Sequence, residues 1–144
     1  MRTPLGYTLD STFVSALVES HPQTWDRLRT ALRETENVKL NALCYFEVMR
    51  GLLYGGMPEK LSILDQISAE LGMLYLDDTE ILDQASAYWA DLKHRGRMLT
   101  SEDRLDADVL IAAIAACKGY AVVTDNVSHF DRIPGLEVVN WLRD

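Results

Sequence analysis

The sequence predicts an α/β fold, a mainly parallel twisted sheet held between two layers of helices. Three observations predict it. Short apolar runs that read as strands alternate with longer stretches of helical periodicity. The 144 residues suit one domain over 1–144, and a chain of roughly 150 residues buries about 70% of its unfolded surface without a disulfide or zinc. Carboxylates recur just past the strand candidates, where open α/β sheets bind ligands.

Residues 5–9 are apolar and partly aromatic and stop at Asp10-Ser11-Thr12. They read as a first strand feeding a helix start that these three residues can cap. Phe13, Val14, Ala16 and Leu17 give that helix its apolar face. Pro22 opens the next helix, where Trp25, Leu28, Ala31 and Leu32 recur to about residue 35. Residues 38–40 alternate as a second strand. Asn41 caps a helix through Leu43, Phe46 and Met49 that ends at Gly55-Gly56. Pro58 starts a helix with Leu61, Leu64, Ile67 and Leu71 on one face, and Gly72 stops it ahead of a strand candidate at 73–76.

Asp77 and Glu80 have capping-box spacing, which starts a helix at Asp78. Ile81, Leu82, Ala85, Tyr88, Trp89 and Leu92 make its buried stripe. Lys93-His94-Arg95-Gly96 closes it, with cations on the negative end of the dipole. Residues 109–117 are apolar almost all round, so that helix is packed on both sides, and Gly119 ends it. Residues 121–123 form a buried strand stopped by Thr124-Asp125-Asn126. Pro134-Gly135 is a turn, and 137–139 is a last, edge-like strand. No internal repeat, low-complexity stretch or linker interrupts this order.

Charge narrows the function classes. The chain has 22 acidic and 14 basic residues, a net charge of −8. That argues against a strongly basic nucleic-acid binder or a cationic membrane-surface protein. It leaves room for an acidic pocket that holds metal ions. Cys44 and Cys117 sit in apolar stretches without metal-ligand spacing and read as buried, reduced thiols. Residues 1–7 lack the apolar core of a signal peptide, and no window reaches the roughly 20 apolar residues of a membrane helix. The expectation is a cytoplasmic protein without a membrane partner.

Asp10 follows the first strand, and Asp125 and Asn126 follow the strand at 121–123. Asp106 and Asp108 precede the apolar helix, and Glu47 lies about one and a half turns into the helix after the second strand. Several carboxylates at one sheet edge raise one another's pKa, and a divalent cation offsets that repulsion. Carboxylate and water oxygens suit Mg²⁺ or Mn²⁺. The chemistry this suggests is phosphodiester hydrolysis. Each acid also has a plainer reading. Asp10 can cap a helix, Asp106 or Asp108 can cap the apolar helix, and Asp125-Asn126 can be a turn pair. Joint placement favours the metal site. His129 reads as exposed and His94 as part of a C-cap.

Leu9-Asp10-Ser11-Thr12 resembles the opening motif of PIN-domain ribonucleases, and Glu47-Val48-Met49-Arg50-Gly51 resembles their E-[LV]-x-x-G segment. The stretch from Asp106 through Asp108 to Ile111-Ala112-Ala113 is similar to the D-x-D-x-x-I-A-A of bacterial VapC-type toxins. Val122-Val123-Thr124-Asp125-Asn126, followed by Phe130-Asp131-Arg132-Ile133-Pro134-Gly135-Leu136 and Trp141, is similar to that subfamily's ending. The four segments run in order over nearly the whole chain.

The resemblance implies a PIN-like three-layer α/β/α domain and a Mg²⁺-dependent ribonuclease, with Mn²⁺ as a substitute. It also implies the toxin of a type II toxin–antitoxin pair, held inactive by a cognate antitoxin and forming homodimers. By position, Asp10 and Asp108 match the principal metal ligands and Glu47 the second acid. The fourth position is Asn126 rather than an acid, which leaves Asp125, Asp106 or a water held by Asn126 as alternatives. Arg50 and Thr124 stand beside these motifs in supporting positions.

The local basic stretch is Lys93, His94, Arg95, Arg97 and Arg104. It reads as a helix C-cap, as a rail for RNA phosphates, or as both. The apolar helices over residues 25–64 read as core or as the seat of an antitoxin peptide or second subunit. An acidic pocket invites an antitoxin Arg or Lys. Two competing readings remain. One is a catalytically silent RNA- or protein-binding module, favoured by Asn126. The other is an aspartyl phosphatase with Asp10 as nucleophile, which wants an acid where Thr12 stands.

Overall fold

A computed structural model describes residues 3–34, 37–96 and 102–142, with side chains of the last stretch described from Leu105 onward. The strands are β1 (Gly6–Leu9), β2 (Val38–Asn41), β3 (Met73–Leu74), β4 (Tyr120–Val123) and β5 (Val138–Val139). The helices are α1 (Ser11–Val18), α2 (Pro22–Glu34), α3 (Ala42–Gly55), α4 (Pro58–Leu71), α5 (Thr79–His94), α6 (Glu102–Lys118) and α7 (Val127–Asp131).

The strands form one sheet in the order β3-β2-β1-β4-β5, and every pair is parallel. β1 is central: Leu9 stands beside Leu40 on one side and Val123 on the other. Two apolar cores flank the sheet. Leu9, Leu40 and Val123 join α1 to α4 on one face, whereas Val122 and Leu74 join α5 and α6 on the other. The first two crossovers step outward from β1, and the third returns past it to β4. Parallel crossovers share one handedness, so reversing direction moves the helices to the opposite face. It also opens a crevice between the carboxyl ends of β1 and β4.

Local chemistry fixes most boundaries. The Asn41 side chain accepts the Leu43 N–H at 3.1 Å and starts α3, and Gly56, in the left-handed region at φ 62°, ends it. Pro58 opens α4. α6 is sheathed in protein, with Val109 and Ile111 to Ala115 all buried, as its unbroken apolar run requires.

Several expectations change. Asp78, not Asp77, caps α5 and accepts the Glu80 N–H at 2.9 Å. Asp77 is instead bound by Lys118 at 2.8 Å. Leu82 is 45% exposed rather than buried, because the α5 stripe that faces α6 runs through Ile81, Ala85, Tyr88 and Leu92. β3 spans two residues of the four expected. α6 begins at Glu102, so neither Asp106 nor Asp108 caps it. The short α7 was not expected at all. Among the described residues, no helix is long and apolar enough to cross a membrane.

Candidate active site

Asp10 occupies the N-cap position of α1, yet its carboxylate makes no capping bond. The Asp10 backbone carbonyl accepts the Phe13 and Val14 N–H groups at 3.1 Å. The carboxylate, fully buried, is held by other side chains. Thr124 Oγ1 donates to its Oδ2 at 2.8 Å, and Thr12 Oγ1 donates to the same oxygen at 3.3 Å. Ser11 Oγ and Cys44 Sγ reach Oδ1 at 3.5 and 3.6 Å. These donors come from α1, α3 and the end of β4, so the rotamer of Asp10 is fixed from three directions.

Thr124 also accepts the Asn126 backbone N–H at 2.9 Å. The loop after β4 is thereby locked to the end of β1. Burial pushes the Cys44 thiol well above the ordinary cysteine range, and the charges of Asp10 and Glu47 push it further. Cys44 therefore stays a thiol and a donor. Its position one turn before Glu47 brings α3 beside Asp10.

Asp108 is fully buried in the second turn of α6. Its Oδ2 accepts from Arg132 Nη2 at 3.2 Å and lies 3.5 Å from His129 Nδ1. Arg132 Nε donates to the His129 carbonyl at 2.7 Å. Thus α7, the first element after β4, and the residue that caps its end each present a basic side chain to Asp108. The side chains of Arg132 and Asp108 are 2% and 0% exposed. Such an ion pair persists inside a protein only with good geometry and further hydrogen bonds. Asn41 ties this region to α3, since its Nδ2 donates to the Ile111 carbonyl of α6 at 3.1 Å.

The remaining sequence candidates divide. Glu47 is half-buried on α3 and lines a cleft with Val18 and Met57. Asp125 is exposed, with Oδ1 accepting from Asn140 Nδ2 at 3.2 Å. Asn126 precedes α7 and gives it no side-chain cap. Asp106 is not brought to this edge. Two residues along a helix turn a side chain by roughly 200°, so Asp106 faces an outer groove with Leu82, Ser86 and Trp89. Arg95 pairs with Asp91 and approaches the Arg132 carbonyl at 3.4 Å. Arg97 and the Arg104 side chain lie outside the described residues.

Sequence reasoning missed Arg132 and read His129 as exposed. A signal for Arg132 existed. It neighbours Ile133 and lies two residues from Phe130, both of which are buried, and a charge set among core residues needs a partner. The same logic singled out Glu47. Among the described residues, no three His, Cys, Asp or Glu side chains converge closely enough to cage a metal by themselves.

The PIN domain model matches residues 7–136. The chain belongs to the PIN domain family. Within the PIN family, the chain is similar to the tRNA(fMet)-specific endonuclease VapC of Salmonella typhimurium. The two are 28% identical over 116 residues, covering 76% of this chain and 83% of the relative. Ribonuclease VapC2 of Rickettsia felis is 22% identical over 139 residues, covering 94% and 97%. The fold matches the crystal structure of VapBC2 from Rickettsia felis, bound to a DNA fragment from its promoter. The TM-score is 0.81 at 21% identity, over 94% of this chain and 98% of that one. The PIN assignment agrees with the resemblance and with the three-layer architecture read from the sequence.

Proposed function

We propose that this chain is a Mg²⁺-dependent ribonuclease, with Mn²⁺ as a substitute, and the toxin of a type II toxin–antitoxin pair. The observation that carries the reading is the pair of fully buried carboxylates, Asp10 and Asp108, each held in place by side chains at the carboxyl edge of the sheet. The named activities of the VapC relatives support it.

The donor set fits a hard cation. It consists of carboxylate oxygens, and the one thiol beside them stays protonated. Mg²⁺ retains several waters and needs only one or two carboxylates from the protein. Asp10 and Asp108 would hold it. Bound there, the ion lowers the pKa of a water and stabilises charge on the phosphate.

The protein's own share is positioning. Thr124, Thr12, Ser11 and Cys44 hold Asp10, and Arg132 holds Asp108. Glu47 would orient the attacking water or serve a second ion. Asp125 and Asn126 form the outer wall, and Asp106 is left out because it faces the outer groove. Arg95, Arg97 and Arg104 would track the RNA backbone. Thr12 donates to Asp10 where a phosphatase wants an acid, which disfavours the acyl-phosphate alternative.

Partner surface is available on α3, where Phe46, Leu53 and Tyr54 are 54%, 63% and 97% exposed. Single exposed apolar residues are ordinary, whereas contiguous apolar surface marks interaction sites. We assign this face to the antitoxin or to a second copy in a homodimer, in the cytoplasm. The test is digestion of a mixed RNA pool by purified protein with Mg²⁺ or Mn²⁺. Cleavage that EDTA stops is expected. RNA binding without cleavage in either metal would replace this reading with the silent binding module.

A further inference from the structure

We infer that Arg132 is a fixed counter-charge on Asp108, which lets the chain fold without its metal and lowers the affinity of the site for that metal; this rests on the metal site proposed above. The two carboxylates of that site are held by different chemistry. Among the described residues, the side chains that donate to Asp10 are neutral: the hydroxyls of Thr124, Thr12 and Ser11 and the Cys44 thiol. Neutral donors orient a carboxylate and leave its charge in place. Asp108 instead meets a cation. Arg132 Nη2 donates to its Oδ2 at 3.2 Å, with the two side chains 2% and 0% exposed. Shielded from water, such a charge is felt strongly.

Arg132 is anchored in this position. Its Nε donates to the His129 carbonyl at 2.7 Å, and its own carbonyl is approached by Arg95 Nη2 at 3.4 Å. The chain around it is fixed as well. Phe130 and Ile133 are buried on either side, and the Ile133 N–H donates to the Phe130 carbonyl at 3.0 Å. The guanidinium cannot swing out to water without breaking several of these bonds, so it stays beside Asp108 when an ion arrives.

Two consequences follow, with opposite signs. Without metal, the guanidinium compensates a buried carboxylate that would otherwise be stranded, and stranded buried charges are what unfold a protein. With metal, the same guanidinium is a like charge beside a divalent cation, and it draws on an oxygen of the same carboxylate. Arg132 thus exchanges metal affinity for a stable empty state.

A purely orienting role predicts the reverse. If Arg132 only aimed the Asp108 carboxylate, its loss would leave that carboxylate misaligned and weaken metal binding. The sign of the change in metal affinity therefore separates a counter-charge from a prop.

The experiment is a titration of the full chain with Mn²⁺, free ion being read by electron paramagnetic resonance, for the wild type, Arg132→Gln and Arg132→Lys. Arg132→Gln keeps an N–H donor and loses the charge, whereas Arg132→Lys keeps the charge. Arg132→Gln should bind Mn²⁺ at least about tenfold more tightly than the wild type, and Arg132→Lys should stay close to the wild type. Thermal unfolding should agree: Arg132→Gln melts lower than the wild type in EDTA and gains more from added Mn²⁺. Should Arg132→Gln fail to fold in EDTA, Mn²⁺ should restore its fold, and no rescue at any Mn²⁺ concentration would overturn the inference. Equal or weaker Mn²⁺ binding by Arg132→Gln would overturn it too, as would equal tightening by Arg132→Lys, which would trace the gain to packing rather than charge. No Mn²⁺ binding by the wild type or either variant would remove the metal site itself, and the counter-charge with it. The titration needs neither RNA nor turnover, so an unchanged affinity in Arg132→Gln leaves the nuclease reading standing.

Discussion

Arg132 and Asp108 bear most directly on the site at the scale of single residues. Their side chains are almost wholly inaccessible, so removing one leaves the other charged in a poor solvent. Arg132→Met should destabilise the metal-free protein by about 3 kcal/mol. Adding Asp108→Asn should recover part of that loss, because the stranded charge is gone. Urea unfolding of the two single variants and the double variant measures this, and strictly additive losses would contradict the pairing. Thr8 supplies a second case. Its hydroxyl is buried in the centre of β1 and has no hydrogen-bond partner among the described residues. Thr8→Val keeps the shape and removes an unsatisfied group, so stability should rise by about 1 kcal/mol. A loss of stability in the same unfolding assay would show that the hydroxyl is satisfied.

Among the elements, α5 separates two neighbouring aspartates of similar sequence appearance. Asp78 caps the helix, whereas Asp77, itself exposed, bonds the half-buried Lys118, which holds its carboxyl below the usual range. Asp78→Ala should cost about 1 kcal/mol. Asp77→Ala should cost clearly less, since exposed ion pairs contribute little. Equal losses in thermal unfolding would reverse the assignment. The same contrast shows what a sequence reveals. Caps and stops such as Asn41, Gly56, Pro58 and Gly72 act within a few residues, so element order was legible. Asp10 and Asp108 became candidates in the sequence because a strand end and family motifs mark them, whereas their burial carried no such local mark. α7 was not legible, because five residues are too few for a periodic pattern. The start of α6 was missed because its first turn is polar and breaks the apolar run. The opposed directions of Asp106 and Asp108 follow from helix geometry only once that start is known.

The whole molecule carries a net charge of −8, which opposes an RNA substrate. Metal at the carboxyl edge and the basic stretch at the end of α5 would have to offset it. The Arg95–Asp91 pair is exposed, and such pairs exchange at little cost, so Arg95 can turn to a phosphate. Replacing Arg95 and Arg97 with glutamine should weaken RNA binding. It should also lower the slope of log affinity against log salt by about 1.4, roughly 0.7 for each lost single-strand contact. An unchanged slope would remove the rail. The central claim is that Asp10 and Asp108 together hold the metal that drives RNA hydrolysis. The most direct measurement is the Mg²⁺-dependent cleavage rate of Asp10→Asn and Asp108→Asn beside the wild type, with folding checked by circular dichroism. The prediction is folded variants with no cleavage at any Mg²⁺ concentration. Wild-type rates in either folded variant would contradict it.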